Sequence, residues 1–116
     1  MSTVPKVRMT EEEYLALERA SDRKSEFLDG EIFALSGASP AHALITSNVS
    51  AGLNRRLRER PCRVFSPDLR LRLSPSGLFC YPDVVVICGD LQFWGAEKDT
   101  VTNLSLIHIS EPTRPY

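Results

Sequence analysis

The sequence predicts an α/β domain in which helices flank a mixed β-sheet. Two segments, near residue 15 and near residue 50, place apolar residues three and four positions apart, as amphipathic helices do. The segments between and after them alternate apolar and polar residues, which is typical of strands with one buried face. An unbroken β-branched run near residue 85 is typical of a strand buried on both faces.

The composition is that of a single globular domain. The chain has 116 residues, of which 42% are hydrophobic and 25% charged, and no apolar run approaches the roughly 20 residues that span a bilayer. No secretory signal is readable, so we expect a cytoplasmic protein without a membrane segment. The net charge is −1, but seven of the 14 lysines and arginines fall between residues 55 and 72. On charge alone, we interpret this basic stretch as a solvated helix face and strand edge rather than as a phosphate-binding surface.

A helix and a β-hairpin are predicted near the N-terminus. Thr10 and Glu13 can form a capping box, in which each side chain accepts from the other backbone amide, and they predict a helix over residues 11–20. The dipeptide Asp29-Gly30 readily takes the positive φ angles of a type I′ turn. The two strands of this hairpin are predicted at residues 25–28 and 31–35.

A longer helix is predicted in the middle of the chain. Ser39 can cap it, and Pro40 suits its first position, where no backbone donor is required. The helix should end before Pro61 and lie with one face on a sheet and the other in water. Its apolar face consists of Ala41, Leu44, Ile45, Val49, Leu53 and Leu57.

Three further strands are predicted after this helix. Residues 63–66 and 69–73 alternate as half-buried antiparallel strands do, with an apolar and a basic face. Residues 79–88 are predicted as one strand at the centre of the sheet, and residues 89–102 as a connecting loop. The three cysteines lack Cys-x-x-Cys spacing, which argues against a disulfide framework and a zinc ribbon. We expect small buried apolar residues at Cys62, Cys80 and Cys88.

Asp83 is the strongest candidate for chemistry. A carboxylate at the head of the apolar run 84–87 would lie at the margin of a dry core, where an unpaired charge is costly. Mg²⁺ would compensate the charge, since this ion prefers carboxylate oxygens and usually takes only one or two of them. An aspartate that accepts hydrogen bonds from turn amides after Pro82 explains the residue equally well.

Four other residues are weaker candidates. Glu26 is expected to point away from the inward-facing Phe27, which alone would make it a surface residue. His42, in the first turn of the long helix, could reach a phosphate or a metal-bound water, but a plain polar neighbour is the commoner role. Arg70 and Arg72 project to one strand face and could contact a nucleic-acid backbone, whereas solvated arginines are the commoner explanation.

Four motifs run in order along residues 9–103. They begin at Met9 (Met-Thr-Glu-Glu-Glu-Tyr-Leu), Lys24 (Lys-Ser-Glu-Phe-Leu-Asp-Gly-Glu-Ile), Ser36 (Ser-Gly-Ala-Ser-Pro-Ala-His) and Tyr81 (Tyr-Pro-Asp-Val-Val-Val). Together they resemble the Uma-two family of restriction endonuclease domains. Their order and separations make this resemblance far more specific than a single short motif would.

The resemblance implies the PD-(D/E)XK nuclease fold, a restriction-endonuclease-like mixed sheet flanked by helices. In that fold carboxylates bind Mg²⁺, and the metal activates a water against a phosphodiester. The resemblance implies that Asp83 is the motif aspartate, that Glu26 is a further acidic metal ligand, and that His42 occupies the family's Ser-x-x-His position. The implied partner is nucleic acid, with DNA expected, and a homodimer is a further implied state.

The chain departs from the family pattern after Asn103. There the family continues with a strand that carries a second carboxylate and a helix that carries a lysine. Here Ile109 stands at the carboxylate position, Glu111 would lie about 6–7 Å further along a strand, and no lysine follows. Residues 104–114 resemble a translated transposase sequencing adapter, so we expect residues 104–116 to be a non-native tail. Residues 9–103 are then the N-terminal part of a domain that is incomplete at its C-terminus.

Two hypotheses about function follow. In the first, the chain is a fragment of a metal-dependent endonuclease and is inactive as it stands, because the second carboxylate and the lysine are missing. In the second, it is a non-catalytic nucleic-acid-binding or dimerising module of the same fold. A native gene that continues with the carboxylate-bearing strand would favour the first hypothesis. A gene that stops near Asn103 would favour the second.

Overall fold

The computed structural model describes residues 8–102, so the predicted non-native tail at 104–116 lies outside the described residues. Within that range the chain forms two helices and seven strands. They are α1 (Glu11–Ala20), β1 (Ser25–Leu28), β2 (Glu31–Ala34), α2 (Pro40–Arg56), β3 (Cys62–Phe65), β4 (Arg70–Leu73), β5 (Leu78–Cys80), β6 (Val85–Cys88) and β7 (Thr100–Val101).

The strands form two sheets. The larger sheet has five strands in the order β2-β1-β5-β4-β7, and the smaller one pairs β3 with β6. Only the β4–β7 pair of the larger sheet is parallel, so this sheet is mixed. The predicted fold class, an α/β domain with helices and a mixed sheet, is confirmed.

The first helix begins where the capping box predicted it. The Thr10 hydroxyl accepts a hydrogen bond from the Glu13 amide at 3.0 Å, and the Glu13 carboxylate accepts one from the Thr10 amide at 2.8 Å. The hairpin is also confirmed, because Asp29 and Gly30 have φ angles of 54° and 85° between β1 and β2. Both elements depend on neighbours in the sequence, which is why their bounds were predictable.

Two apolar cores lie on opposite faces of the five-stranded sheet. Successive residues of a strand point to opposite faces, so Phe79 and Cys80 of β5 enter different cores. On the α1 side, the Tyr14 and Phe27 rings stack with centroids 4.8 Å apart. The α1 core contains Tyr14, Leu15, Phe27 and Phe79, and the other core contains Leu71, Cys80, Val85, Ile87 and Val101.

The single strand predicted over residues 79–88 is wrong, because the chain bends between β5 and β6. The two strands belong to different sheets, so neither is the continuation of the other. Pro82 has no amide donor for a ladder, which favours a break at this position. Val85 and Ile87 of β6 are buried, whereas Val84 and Val86 are only half-buried. The loop predicted over residues 89–102 is also corrected, since its end forms β7 beside β4.

The second helix is where the sequence predicts it, but its apolar face is not on a sheet. Ser39 caps α2 and Pro40 occupies its first turn. Leu44 and Ile45 are each 62% exposed, and Val49 is 45% exposed. The periodicity shows which residues share a face, but it does not show which element covers that face. Within residues 8–102, neither helix is long and apolar enough to cross a bilayer.

The expectation of three small buried cysteines holds only for Cys80. Cys80 is a buried free thiol, but Cys62 and Cys88 form a disulfide. They lie directly opposite each other in the antiparallel register of β3 and β6. This pairing depends on strand register, so spacing along the chain gives no sign of it. Disulfides persist mainly in oxidising compartments, and the cytoplasmic location expected from the sequence remains a prediction.

Candidate metal and nucleic-acid site

Asp83 lies in the bend between β5 and β6. The bend turns its side chain away from the core, and the side chain is 60% exposed. The expectation of a carboxylate at the margin of a dry core is therefore wrong, because water solvates this group. Its side chain contacts the imidazole of His42, whose Nε2 atom lies 3.0 Å from Oδ2 of Asp83.

His42 is positioned by the start of α2. Its backbone amide donates to the Ser39 hydroxyl at 3.1 Å, as expected for the third residue after an N-cap. Its side chain is 49% exposed and reaches across to Asp83. His42 thus directly contacts Asp83, the candidate metal ligand. The catalytic role of His42 remains a prediction.

Glu26 is a half-buried residue of β1. Phe27 enters the α1 core, so Glu26 points to the opposite face of the sheet, as the alternation predicts. Cys80 lies near it on that face. Burial, together with the smaller effect of the negative charge of Glu26, raises the pKa of the Cys80 thiol to about 11. Glu26 is therefore close enough to the second core to affect its electrostatics.

Two adjoining cavities bring the three candidate residues together. Glu26 and Asp83 border one cavity of about 640 Å³, and His42 and Asp83 border a second of about 490 Å³. Ala38 and Pro67 border both cavities as well. Asp83 is thus the carboxylate shared by the two spaces, at the junction of the sheet, the bend and α2.

The donor set is partly suited to a magnesium ion. Mg²⁺ usually binds through one or two carboxylates and keeps several waters, which Glu26 and Asp83 could satisfy from one cavity. Among residues 8–102, however, no group of three or more His, Cys, Asp or Glu side chains is arranged to hold a metal ion. The third group that the resemblance implies falls after Asn103, outside the described residues.

Arg70 is not the solvent-facing residue that the alternation suggested. Its side chain is 8% exposed and lies in the α1-facing layer. It donates to the Thr100 hydroxyl at 2.8 Å and to the Tyr81 hydroxyl at 3.0 Å, and it pairs with Asp99 at 2.8 Å. All of these contacts lie within the chain, so Arg70 is not retained as a nucleic-acid-binding residue.

Arg72 points to the same face as Arg70, as predicted, and is also engaged. It makes a bidentate pair with Glu11 at 3.1 and 3.0 Å, and its guanidinium lies 3.9 Å from the ring centroid of Trp94. The face predicted to be basic and exposed is instead covered by α1 and by the loop that carries Trp94. This correction follows from the packing of α1, which the strand pattern does not reveal.

Sequence reasoning missed the buried polar network behind the bend. Glu18 of α1 is buried and accepts hydrogen bonds from the Ser25 amide at 2.9 Å and the Tyr81 hydroxyl at 2.6 Å. Tyr81 in turn contacts Arg70, so α1, β4 and the residue two before Asp83 are tied together. A signal existed, because Glu18 follows Tyr14 by four positions on the buried side of α1.

Relatives of known sequence are similar to most of this chain. Two proteins of Synechocystis sp. (strain ATCC 27184 / PCC 6803 / Kazusa), both named as uncharacterized, are among them. The protein sll1609 is 39% identical over 99 residues, which is 85% of this chain and 56% of the relative. The protein slr1290 is 30% identical over 86 residues, which is 74% of this chain and 45% of the relative. The chain thus spans about half the length of these relatives.

A solved structure is similar in fold. It is a crystal structure from Anabaena variabilis titled as a "putative nuclease belonging to DUF820", with a TM-score of 0.62 and 23% sequence identity. The similarity covers 82% of this chain and 51% of that chain. At 23% sequence identity, this similarity shows that the two proteins share a fold.

A family model covers nearly the same stretch. The model of the Uma2 family, described as "Putative restriction endonuclease", matches residues 11–108. The match extends a few residues into the segment predicted to be non-native. Most of the 116 residues lie within it, and the four motifs that resemble the Uma-two family do too, apart from the first residues of the motif at Met9. This chain therefore belongs to the Uma2 family.

Proposed function

We propose that this chain is part of a metal-dependent endonuclease that hydrolyses phosphodiester bonds of nucleic acid, with DNA as the expected substrate. Family membership supports the nuclease class. The observation that supports this location for the site is that Glu26 and Asp83 border one cavity, while His42 contacts Asp83 from the adjoining one. The three residues come from β1, the β5–β6 bend and the start of α2.

The carboxylates of Glu26 and Asp83 would hold the magnesium ion. When bound, the metal would polarise the phosphodiester and lower the pKa of a water molecule. The chain's own contribution is to place two negative charges beside one open cavity. His42 orients the Asp83 carboxylate through the 3.0 Å contact at Oδ2, which is the role that outer partners of metal ligands commonly have.

We also propose that the 116-residue chain does not cleave nucleic acid. The described residues supply two carboxylates but no three-group metal cluster. Poor fixation of the ion would impair both water activation and stabilisation of charge in the transition state. Each of these effects is worth several kcal/mol, or roughly 10²–10³ in rate.

The test compares the 116-residue chain with a chain continued after Asn103 by the corresponding part of sll1609. Both are incubated with supercoiled DNA, single-stranded DNA and RNA, in Mg²⁺ or in EDTA. We expect cleavage only by the continued chain and only in Mg²⁺. Asp83→Asn should lower its rate by about 100-fold or more. Asp29→Asn removes the same charge at an 82% exposed turn position and should leave the rate unchanged.

Two outcomes would contradict this proposal. Magnesium-dependent cleavage by the short chain that Asp83→Asn abolishes would show that the short chain is already complete for catalysis. A continued chain that binds nucleic acid without cleaving it would favour the second hypothesis, a non-catalytic binding or dimerising module. The exposed apolar face of α2 is the observation that favours such a module, since Leu44 and Ile45 are each 62% exposed.

A further inference from the structure

Lys24 brings a positive charge to the cavity that the two candidate metal ligands border. It immediately precedes β1 and stands two positions before Glu26. Lys24, Glu26 and Asp83 all line the 640 Å³ cavity, and Arg23 lines it as well. The cavity therefore combines two basic and two acidic side chains.

The Lys24 ammonium is held in place by contacts with two other parts of the chain. Its Nζ donates to the Pro67 carbonyl at 3.1 Å and to the Asp68 carboxylate at 2.9 Å. It also lies 5.4 Å from the ring centroid of Tyr81, whose hydroxyl donates to buried Glu18. The ammonium thus lies against a ring that the buried polar network fixes, close to the bend that carries Asp83.

The ion pair with Asp68 does not block a ligand. The Asp68 side chain is 82% exposed and that of Lys24 is 41% exposed, so solvent screens their attraction and the pair contributes little to stability. A phosphate oxygen can replace the Asp68 carboxylate as the acceptor without leaving a buried charge behind. Lysine commonly binds phosphate in this way, as a compact positive charge with three donors.

The overall charge of the cavity fits a nucleic-acid backbone once a cation is bound. Glu26 and Asp83 balance Lys24 and Arg23 in number, and the Asp68 carboxylate beside Lys24 adds one negative charge. A divalent ion would still leave a net positive charge. A phosphodiester is an anion and would be attracted to it. Arg70 and Arg72, the basic residues that the strand pattern suggested for this role, are engaged inside the chain.

We propose that Lys24 binds a phosphodiester oxygen of the nucleic acid in the cavity beside Glu26 and Asp83. The inference rests on the proposed function, because it assigns a phosphate-binding residue to that same site. Lys24 is then a residue that positions the substrate in this site.

The test measures binding rather than cleavage. Fluorescence anisotropy of a labelled 20-base-pair DNA duplex gives the association constant of the 116-residue chain over a range of salt concentrations, with Ca²⁺ in place of Mg²⁺. We expect Lys24→Gln to weaken binding about tenfold at low salt, and to reduce the slope of log K against log salt by about 0.9, the value for one phosphate contact. Lys24→Arg keeps the charge and should keep the slope.

The control is Lys98→Gln, which removes the same charge from an exposed loop residue that does not line this cavity. If the parent chain binds the duplex and Lys24→Gln binds it with the same affinity and the same salt slope, the inference is overturned. The proposed function would still stand. An equal reduction by Lys98→Gln would overturn it too, since the effect would then be one of net charge. A parent chain that binds no nucleic acid would overturn the inference for this chain, whereas the proposed function is decided by cleavage in the chain continued after Asn103. Urea unfolding of each variant shows that the chains compared are folded.

Discussion

Replacing Arg70 with methionine tests whether this residue stabilises the fold or binds nucleic acid. Methionine retains much of the apolar volume of the side chain but none of its donors. The substitution removes the hydrogen bonds to Thr100 and Tyr81 and the ion pair with Asp99. We expect a large loss of stability and no specific loss of nucleic-acid binding in the molecules that remain folded.

The magnitude follows from the burial of each contact. A hydrogen bond from a charged donor contributes about 1.5–3 kcal/mol, and Arg70 makes two of them to buried hydroxyl groups. The Asp99 side chain is 37% exposed, so the ion pair is counted at less than about 1 kcal/mol. Tyr81 and Asp99 keep other partners, which limits the penalty. The free energy of unfolding should fall by about 3–5 kcal/mol.

Urea unfolding followed by circular dichroism measures this loss. With a urea m-value of about 1.5 kcal/mol per molar, the midpoint should fall by roughly 2–3 M. Arg70→Lys should fall between the parent and Arg70→Met, because one ammonium cannot reach three separated acceptors. Arg63→Met, at an exposed position of β3, is the control and should change the free energy by less than about 0.5 kcal/mol. A midpoint for Arg70→Met within about 0.3 M of the parent would refute the reasoning.

Two further predictions concern acid stability and the second helix. The hydrogen bond from Arg19, together with the charge of Arg70, lowers the pKa of Asp99, so its stabilising contribution is present above the unfolded pKa of about 3.9 and is lost as the pH falls below it. Urea unfolding between pH 6 and pH 3 should show the beginning of this loss, and Asp99→Asn should flatten that part of the profile. The double substitution Leu44→Lys with Ile45→Lys should change the free energy of unfolding by less than about 0.5 kcal/mol, because both side chains are mostly exposed. A loss above about 2 kcal/mol would show that this face is covered in solution.

The elements predicted correctly are those set by adjacent residues. The capping box of Thr10 and Glu13 and the turn at Asp29-Gly30 involve residues no more than three positions apart, so the sequence contains the whole interaction. The split between β5 and β6 had a local sign in Pro82. The β-branched run after it suggested a longer strand than the structure forms.

The parts that were missed depend on residues far apart in the sequence. The strand pattern predicts that Arg70 is exposed. It is buried because Asp99 and Tyr81 contact it in the fold. The disulfide between Cys62 and Cys88 likewise depends on strand register.

The candidate site shows the same division between local and distant information. The motifs selected Glu26, His42 and Asp83, but their adjoining cavities arise from the packing of α2 beside β3 and from the bend. Nothing in the sequence marks Lys24 as a site residue, because a lysine before a strand is usually only solvated.

The strand order of the larger sheet has a consequence for how the chain folds during synthesis. Phe27 of β1 is opposite Phe79 of β5, about fifty residues later, while β1 and its hairpin partner β2 are adjacent in sequence. The hairpin can therefore form early, but its aromatic side chain lacks its full apolar surroundings until β5 has left the ribosome. Contacts between distant segments close slowly, because the entropy of the intervening loop is lost first. During that interval the N-terminal segments expose apolar surface that chaperones recognise.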